Sequence, residues 1–517
     1  MGVEGVGFYE IAAHDPDRPA FLGGPGGETL SYGALHARVN RLTHVLRALG
    51  VGRGDAVATV LGNRPEFLTA LLAALQSGVY LVPVSRHLTA PEIGYVLADS
   101  GARVVLSERA FAGTAAEAAD AAGIAPEARL AVDGARGWAD LDALCAAADP
   151  APPADRTMGS IMLYTSGTTG RPKGVRRPVL DVPPEVLVQV MVGSIGRHLD
   201  LEAGDEVHLA VGPLYHSAPC MHAMMALNLG HAVVVVPRFE PEETLALIER
   251  HRVTNTFMVP TMFHRMLALP EEIRHHYDLS SLRQVFHSAA PIPVATKQRM
   301  MDWWGPVLTE YYGSTESGAV VVARPHEWLA RPGTVGHAVP GVEIRILGPD
   351  GAELPPGETG LIYARGQTAF EYHGDPAKTA ASMRGDLYTP GDLGRLDGDG
   401  WLYMSDRRTD LIISGGVNLY PAEIEAALLQ HPAVADAVVI GVPEPEWGQW
   451  PVALVEPAAG AVAGPELAAA LLEHCGRLLA KVKHPRRIEF RESLPRTPSG
   501  KLSRSRVREA YLEEKAL

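Results

Sequence analysis

Only three cysteines occur in 517 residues, Cys145, Cys220 and Cys475. They lie far apart, so they form neither a metal-ligand spacing nor a disulfide framework. Each reads as a small buried side chain. Long apolar runs are also missing. Every one is interrupted or shorter than about 18 residues, which argues against a membrane span. Met1 to Pro16 carries Glu4, Glu10 and Asp15 where a secretory signal would have a basic start and an apolar run. The cytoplasm is therefore the expected compartment. There is no basic excess. The formal net charge of -14 disfavours a general nucleic-acid surface but permits a local basic groove for an anionic ligand. No repeat is visible, and the chain is too long for a single core, so at least two domains are expected.

What the chain does have is concentrated in Tyr164-Thr165-Ser166-Gly167-Thr168-Thr169-Gly170-Arg171-Pro172-Lys173-Gly174. The preceding Ile161-Met162-Leu163 reads as a buried strand. A strand entering such a loop presents N–H groups and hydroxyls to phosphate oxygens. The glycines clear the approach, and Lys173 can reach a terminal phosphate. The G-K-[ST] ending of a Walker A loop is absent. On composition alone, an ordinary surface turn is the commoner reading.

Apolar periodicity predicts α/β alternation. Helices are expected over 29–49, with Ser31 as N-cap, and over 65–77 and 91–100. Strands are expected over 55–61, 78–83 and 102–106. A second α/β unit spans 205–323, and short strands broken by Pro and Gly over 333–369 suggest a small β subdomain. A smaller α/β unit follows Asp406-Arg407-Arg408-Thr409-Asp410.

Further segments carry chemistry. In Glu310-Tyr311-Tyr312-Gly313-Ser314-Thr315-Glu316, expected just after a strand at Val307-Leu308, Tyr312 can stack on a purine. Gly313 lets a ligand approach, Thr315 can donate to a phosphate, and Glu316 can help hold Mg²⁺. In Leu387-Tyr388-Thr389-Pro390-Gly391-Asp392, the carboxylate can accept from two ribose hydroxyls. Arg407 can donate to the same sugar. Lys501, in Leu494-Pro495-Arg496-Thr497-Pro498-Ser499-Gly500-Lys501-Leu502, can be delivered into a closed pocket as a point charge. Taken singly, each also has a bland reading: Tyr312 in a core, Glu316 and Lys501 in solvent, Asp392 capping a turn. Arg504, Arg506 and Arg508 read as a solvated helix face or as contacts for anions.

In this order and spacing, these segments resemble the adenylate-forming superfamily of acyl- and aryl-CoA synthetases, carrier adenylation domains and luciferases. A stand-alone acyl-CoA synthetase is the nearest type. The chain also has that family's Gly357-Glu358-Thr359-Gly360 turn and Gly415-Gly416-Val417-Asn418-Leu419-Tyr420-Pro421 loop. The resemblance implies an α/β protein. Its large N-terminal domain, 1–405, combines several α/β subdomains with a small β subdomain. A hinge at 406–410 leads to a mobile α/β domain, 411–517, carrying the catalytic lysine.

The resemblance also implies two half-reactions. A carboxylate attacks the α-phosphate of ATP, releasing pyrophosphate. A thiol then attacks the acyl-adenylate, releasing AMP. Thr165, Ser166, Gly167, Thr168, Thr169, Gly170 and Lys173 match the triphosphate loop. Tyr312 matches the adenine-stacking ring. Thr315 and Glu316 match the phosphate and Mg²⁺ contacts, and Asp392 and Arg407 the ribose contacts. Lys501 matches the lysine bridging carboxylate and α-phosphate. His216, in Pro213-Leu214-Tyr215-His216, matches a gate beside the acyl pocket. Thr409 matches the turning point, where many relatives have Asp or Lys. Gly415, Gly416, Asn418 and Tyr420 are expected to face the thiol after rotation. Pro390 replaces a threonine common in relatives.

The acyl pocket is expected at His216, Ser217, Cys220, Met221, Ser288, Ala289, Ala290, Tyr311 and Gly313. No acidic residue stands there to hold an ammonium group, so an aryl, arylalkenoyl or short-to-medium apolar monocarboxylate is favoured over an amino acid. No carrier domain follows Lys501, so coenzyme A is the expected acceptor. Loading of a separate phosphopantetheinyl carrier protein is the alternative within the class. A non-catalytic nucleotide-binding regulator is the alternative outside it. Either a monomer or a homodimer is compatible with this reading.

Overall fold

The computed structural model describes residues 6–23, 29–165, 171–196, 198–289, 292, 294–366, 369–407, 412–419, 421–458, 460–494 and 504–516. Its first sheet is all-parallel, with six strands in the order 139–140, 129–132, 102–108, 56–60, 80–83 and 160–161. Strand Ala56–Val60 is buried throughout, as expected for a sheet covered on both faces. The covering helices follow local rules. Ser31 caps Tyr32–Ala48, its side chain accepting from the Ala34 N–H. Thr89 and Glu92 form a capping box on Ala90–Ser100, which ends at left-handed Gly101.

The second sheet has nine strands and brings chain-distant segments together. Its parallel centre comprises Ala232–Val235, Val207–Ala210, Asn255–Met258, Gln284–His287 and Leu308–Ser314. Pro19–Phe21, from near the N-terminus, pairs in parallel with Ala232–Val235. One hydrophobic core is shared between Tyr32–Ala48, Pro65–Gln76 and Ser217–Leu229. This ties the first two sheets into one body.

Three smaller sheets complete the fold. Leu163–Thr165, Lys173–Arg176 and Glu371–Tyr372 make an antiparallel trio. Glu343–Leu347, Gly360–Arg365 and Asp392–Leu396 belong to the expected small β subdomain, which extends to Arg407. In the C-terminal unit a long hairpin, Val434–Glu444 with Gly448–Pro457, pairs with Ile412–Ser414 and Arg487–Phe490. Helices Pro421–Leu428, Pro465–Leu478 and Arg504–Ala516 pack around it. Arg504 and Arg508 are half-buried, and Arg504 meets an anion of the same unit. Arg504 Nε donates to Glu425 Oε1 at 2.9 Å, and Arg508 Nε to the Gly441 carbonyl at 2.8 Å. Among the described residues, no helix is long and apolar enough to cross a membrane.

Candidate nucleotide and acyl site

The motif expected to follow a strand is itself strand. Leu308–Ser314 includes Glu310 to Ser314 and folds back on Gly318–Ala323, pairing Gly313 with Ala319 and Ser314 with Gly318. A Cβ on Gly313 would overlap the Gly318 carbonyl oxygen, so the facing strand itself requires glycine here. The period of two puts Tyr311 and Gly313 on a cavity wall. Tyr312 points the other way and does not line that cavity. Its ring packs with Val320, Val321 and Ile344, and its hydroxyl donates to Asp392 Oδ2 at 2.9 Å. Tyr312 thus braces Asp392, which is 5% exposed and does line the cavity. Arg407 pairs with Asp392 through backbone register, and its side chain lies outside the described residues. Thr389 Oγ1 accepts from the Gly391 N–H at 3.0 Å, so the turn has a local hydroxyl even with Pro390 in place.

Glu316 sits at the tip of this hairpin and is 7% exposed. Oε1 accepts from the Tyr372 hydroxyl at 2.8 Å and from Thr165 Oγ1 at 3.4 Å. Arg177 Nη2 donates to the Thr315 and Glu316 carbonyls, both at 2.9 Å. Burial pulls the Arg177 pKa down, opposed by the negative charge of Glu316. Arg177, Tyr372 and Lys378, a further lysine on the wall, were missed in the sequence. No short motif links them to Glu316. Lys173 was expected at the phosphates. It pairs with Asp375 Oδ2 at 3.5 Å and does not line the cavity. Residues 166–170 lie outside the described residues. Among those described, no three His, Cys, Asp or Glu side chains converge on a metal position. A lone carboxylate suits Mg²⁺ carried in on phosphate oxygens and water.

The cavity measures about 2190 Å³. Single-ligand pockets usually measure roughly 300–1,000 Å³, so this one has room for several substrates at once. Its lining includes the uncharged Leu75, Met158, Val182, Met191, Met221 and Met224. Helical spacing puts Ser217, Met221 and Met224 on this wall but turns Cys220 into the core, correcting the expected pocket list. The Cys220 thiol is pushed up to about 12 by burial and is not reactive there. Ser288 and Ala289 line the cavity, Ala289 with φ 74°. Ala290 lies outside the described residues. His216 lines the cavity and keeps an exposed surface there. Burial, helped by the charge of His87, pushes its pKa down to about 4, so the ring is neutral near pH 7.

The cavity's other wall comes from the C-terminal unit. Gly415, Gly416, Val417, Trp447, Lys481 and Arg486 line it. Gly415 has φ 59° and lies under the Trp447 ring; Gly416 has φ 78° and faces Val259 across the interface. Asn418 follows in Val417–Leu419, with its side chain outside the described residues. Thr409, Tyr420 and Lys501 also lie outside them. A second contact that the sequence did not reveal fixes the interface. Lys483 Nζ reaches Glu92 Oε1 at 2.8 Å and Glu423 Oε1 at 2.7 Å. Beside it, Thr89 Oγ1 donates to the Leu478 carbonyl at 3.2 Å.

Residues 8–372 match the AMP-binding enzyme family, and residues 423–501 match the AMP-binding enzyme C-terminal domain. A feruloyl-CoA synthase from Amycolatopsis is 38% identical, with 99% of this chain and 100% of the relative covered. The fatty acid–[acyl-carrier-protein] ligase ScoC of Streptomyces coeruleorubidus is 35% identical, over 98% of this chain and 96% of its own. Among solved structures, the amide bond synthetase McbA from Marinactinospora thermotolerans superimposes with a TM-score of 0.85 at 28% identity, covering 98% of this chain and 99% of that one. The chain belongs to the AMP-binding enzyme family and is an adenylate-forming ligase that activates acids with ATP.

Proposed function

We propose that this ligase joins an apolar monocarboxylic acid to coenzyme A by way of an acyl-adenylate. One observation carries the reading. A single cavity is lined by the carboxylates Glu316 and Asp392, by uncharged residues that include Met158, Met191, Met221 and Met224, and by Gly416 and Trp447 of the C-terminal unit. The first set suits Mg-ATP, the second an aryl, arylalkenoyl or short-to-medium aliphatic tail, and the third a thiol. Trp447, with Arg486 5.6 Å from its ring centroid, and Lys481 on the same cavity offer an aromatic face and two cations, which suit the adenine and phosphates of coenzyme A.

In the first step a carboxylate oxygen bonds to the α-phosphorus while its bond to the bridging oxygen breaks and pyrophosphate leaves. Both reactants are anionic, so the step depends on cations placed where charge develops. Mg²⁺ held at Glu316 supplies part of that charge neutralisation when bound. Lys501 is the proposed bridge between carboxylate and α-phosphate. In the second step the thiol sulfur bonds to the carbonyl carbon, AMP leaves, and the thiol proton is released. Neutral His216 then serves as a wall of the acyl pocket and not as a base. The similarity to ScoC supports a carrier-protein acceptor as the second reading.

The test is acid-dependent exchange of pyrophosphate into ATP over a panel of aryl, arylalkenoyl and aliphatic acids. Coenzyme A, carrier protein and amine acceptors are then compared side by side. Exchange with an apolar acid and fastest transfer to coenzyme A are expected. No exchange with any acid would overturn the activity. Faster acylation of a carrier or an amine would overturn the acceptor.

A further inference from the structure

The lysine of the phosphate loop is engaged elsewhere. Asp375 accepts the Lys378 N–H through Oδ1 at 3.0 Å and faces Lys173 through Oδ2 at 3.5 Å. This draws the Lys173 ammonium to one side, and the cavity wall does not include it. Lys378 does line that wall. Its Nζ lies 4.2 Å from the centroid of the Tyr372 ring, and the Tyr372 hydroxyl holds Glu316. Among the described residues, Lys378 Nζ has no ion pair within 4.0 Å and no hydrogen bond. Burial lowers its pKa, while the charges of Glu316 and Asp375 raise it and that of Lys173 lowers it. A half-buried ammonium resting on an aromatic face, beside the carboxylate suited to Mg²⁺, is placed to meet an anion entering the cavity.

We propose that Lys378 binds the β- and γ-phosphates of ATP and neutralises the charge gained by pyrophosphate as its bond to the α-phosphorus breaks. This rests on the proposed acid activation. The proposal assigns the leaving-group contact to Lys378, from the helix after the small sheet, and not to the loop's own Lys173. Lys173 in turn holds Asp375, which caps the first turn of that helix. AMP lacks both outer phosphates and would not meet the Lys378 ammonium.

The experiment measures binding of Mg-ATP, Mg-pyrophosphate and AMP to the full chain, without acid or thiol, for wild type, Lys378→Met, Lys378→Arg and Lys173→Met. Lys378→Met should weaken ATP and pyrophosphate by about tenfold to a hundredfold, the scale of one lost charged contact, and leave AMP unchanged. Lys378→Arg should restore most of the loss, and Lys173→Met should weaken ATP less. Unchanged ATP and pyrophosphate affinity in Lys378→Met overturns the proposal. So does an equal loss of AMP, or a larger effect from Lys173→Met. Wild-type chain that binds neither Mg-ATP nor pyrophosphate would overturn the acid-activation reading itself.

Discussion

His208 and His222 are buried neutral beneath the cavity. His208 Nδ1 lies 2.7 Å from Asn255 Oδ1, and the His222 ring packs 5.1 Å from Phe257 and 4.7 Å from Phe286. Burial pushes His208 down to about 4 and His222 to about 3, well below the ordinary 6.5. The unfolded chain therefore binds more protons than the folded one between those values and 6.5. Stability from this source is fully present above 6.5 and falls as the pH drops through that window. Between pH 6.5 and 5, each histidine should remove on the order of 2 kcal/mol. Urea midpoints compared at pH 5 and 7.5 should show the loss, and His222→Phe should shrink it. An unchanged acid limb in that variant would mean that other groups set the pH dependence. At the proposed catalytic lysine, Lys501→Ala should slow adenylate formation by roughly 10²-fold or more while sparing thioester formation from supplied acyl-adenylate. Rates of the two halves measured separately check this, and equal damage to both would refute it.

At the scale of elements, the hairpin of Leu308–Ser314 and Gly318–Ala323 sets the geometry of Glu316, Asp392 and the cavity wall together. Gly313→Ala should force the two strands apart at a cost of ~1–3 kcal/mol, the usual scale of overpacking. It should also loosen the Tyr312–Asp392 hydrogen bond and raise the KM for ATP. A melting temperature and KM equal to wild type would show that the hairpin relaxes freely. Helices such as Tyr32–Ala48 and Ala90–Ser100 were legible in the sequence, because caps and 3.6-residue periods are local. This hairpin was not, because Glu310 to Glu316 shows no polar–apolar alternation and its partner strand begins only at Gly318. The residues suited to phosphates and ribose were legible as motifs. Their supports were not: Tyr372 lies 56 positions from Glu316, and Arg177 lies 139 from it. Cys220 was misplaced because a helix face cannot be assigned from one residue's proximity to His216.

Across the whole molecule, Lys483 joins the two parts of the chain. It sits between Glu92 of the N-terminal unit and Glu423 of its own, with 9% of its surface exposed. Removing the ammonium would leave two carboxylates facing each other at a largely buried contact, an arrangement strongly disfavoured in low dielectric. This orientation also brings Gly415 to Val417 to the cavity. Lys483→Met should therefore slow thiol transfer from supplied acyl-adenylate by about tenfold or more and leave pyrophosphate exchange nearly intact. Equal slowing of both halves would exclude a role in choosing the orientation.

The two-sided cavity has an evolutionary consequence. Its lining from Leu75 to Asp392 belongs to the N-terminal unit, whereas the lining from Gly415 to Arg504 is encoded near the other end of the chain. A gene exchange between relatives with its junction between Asp392 and Gly415 would pass on one set of walls without the other. A lineage could thus change the acceptor while keeping its acid, or the reverse, in a single recombination.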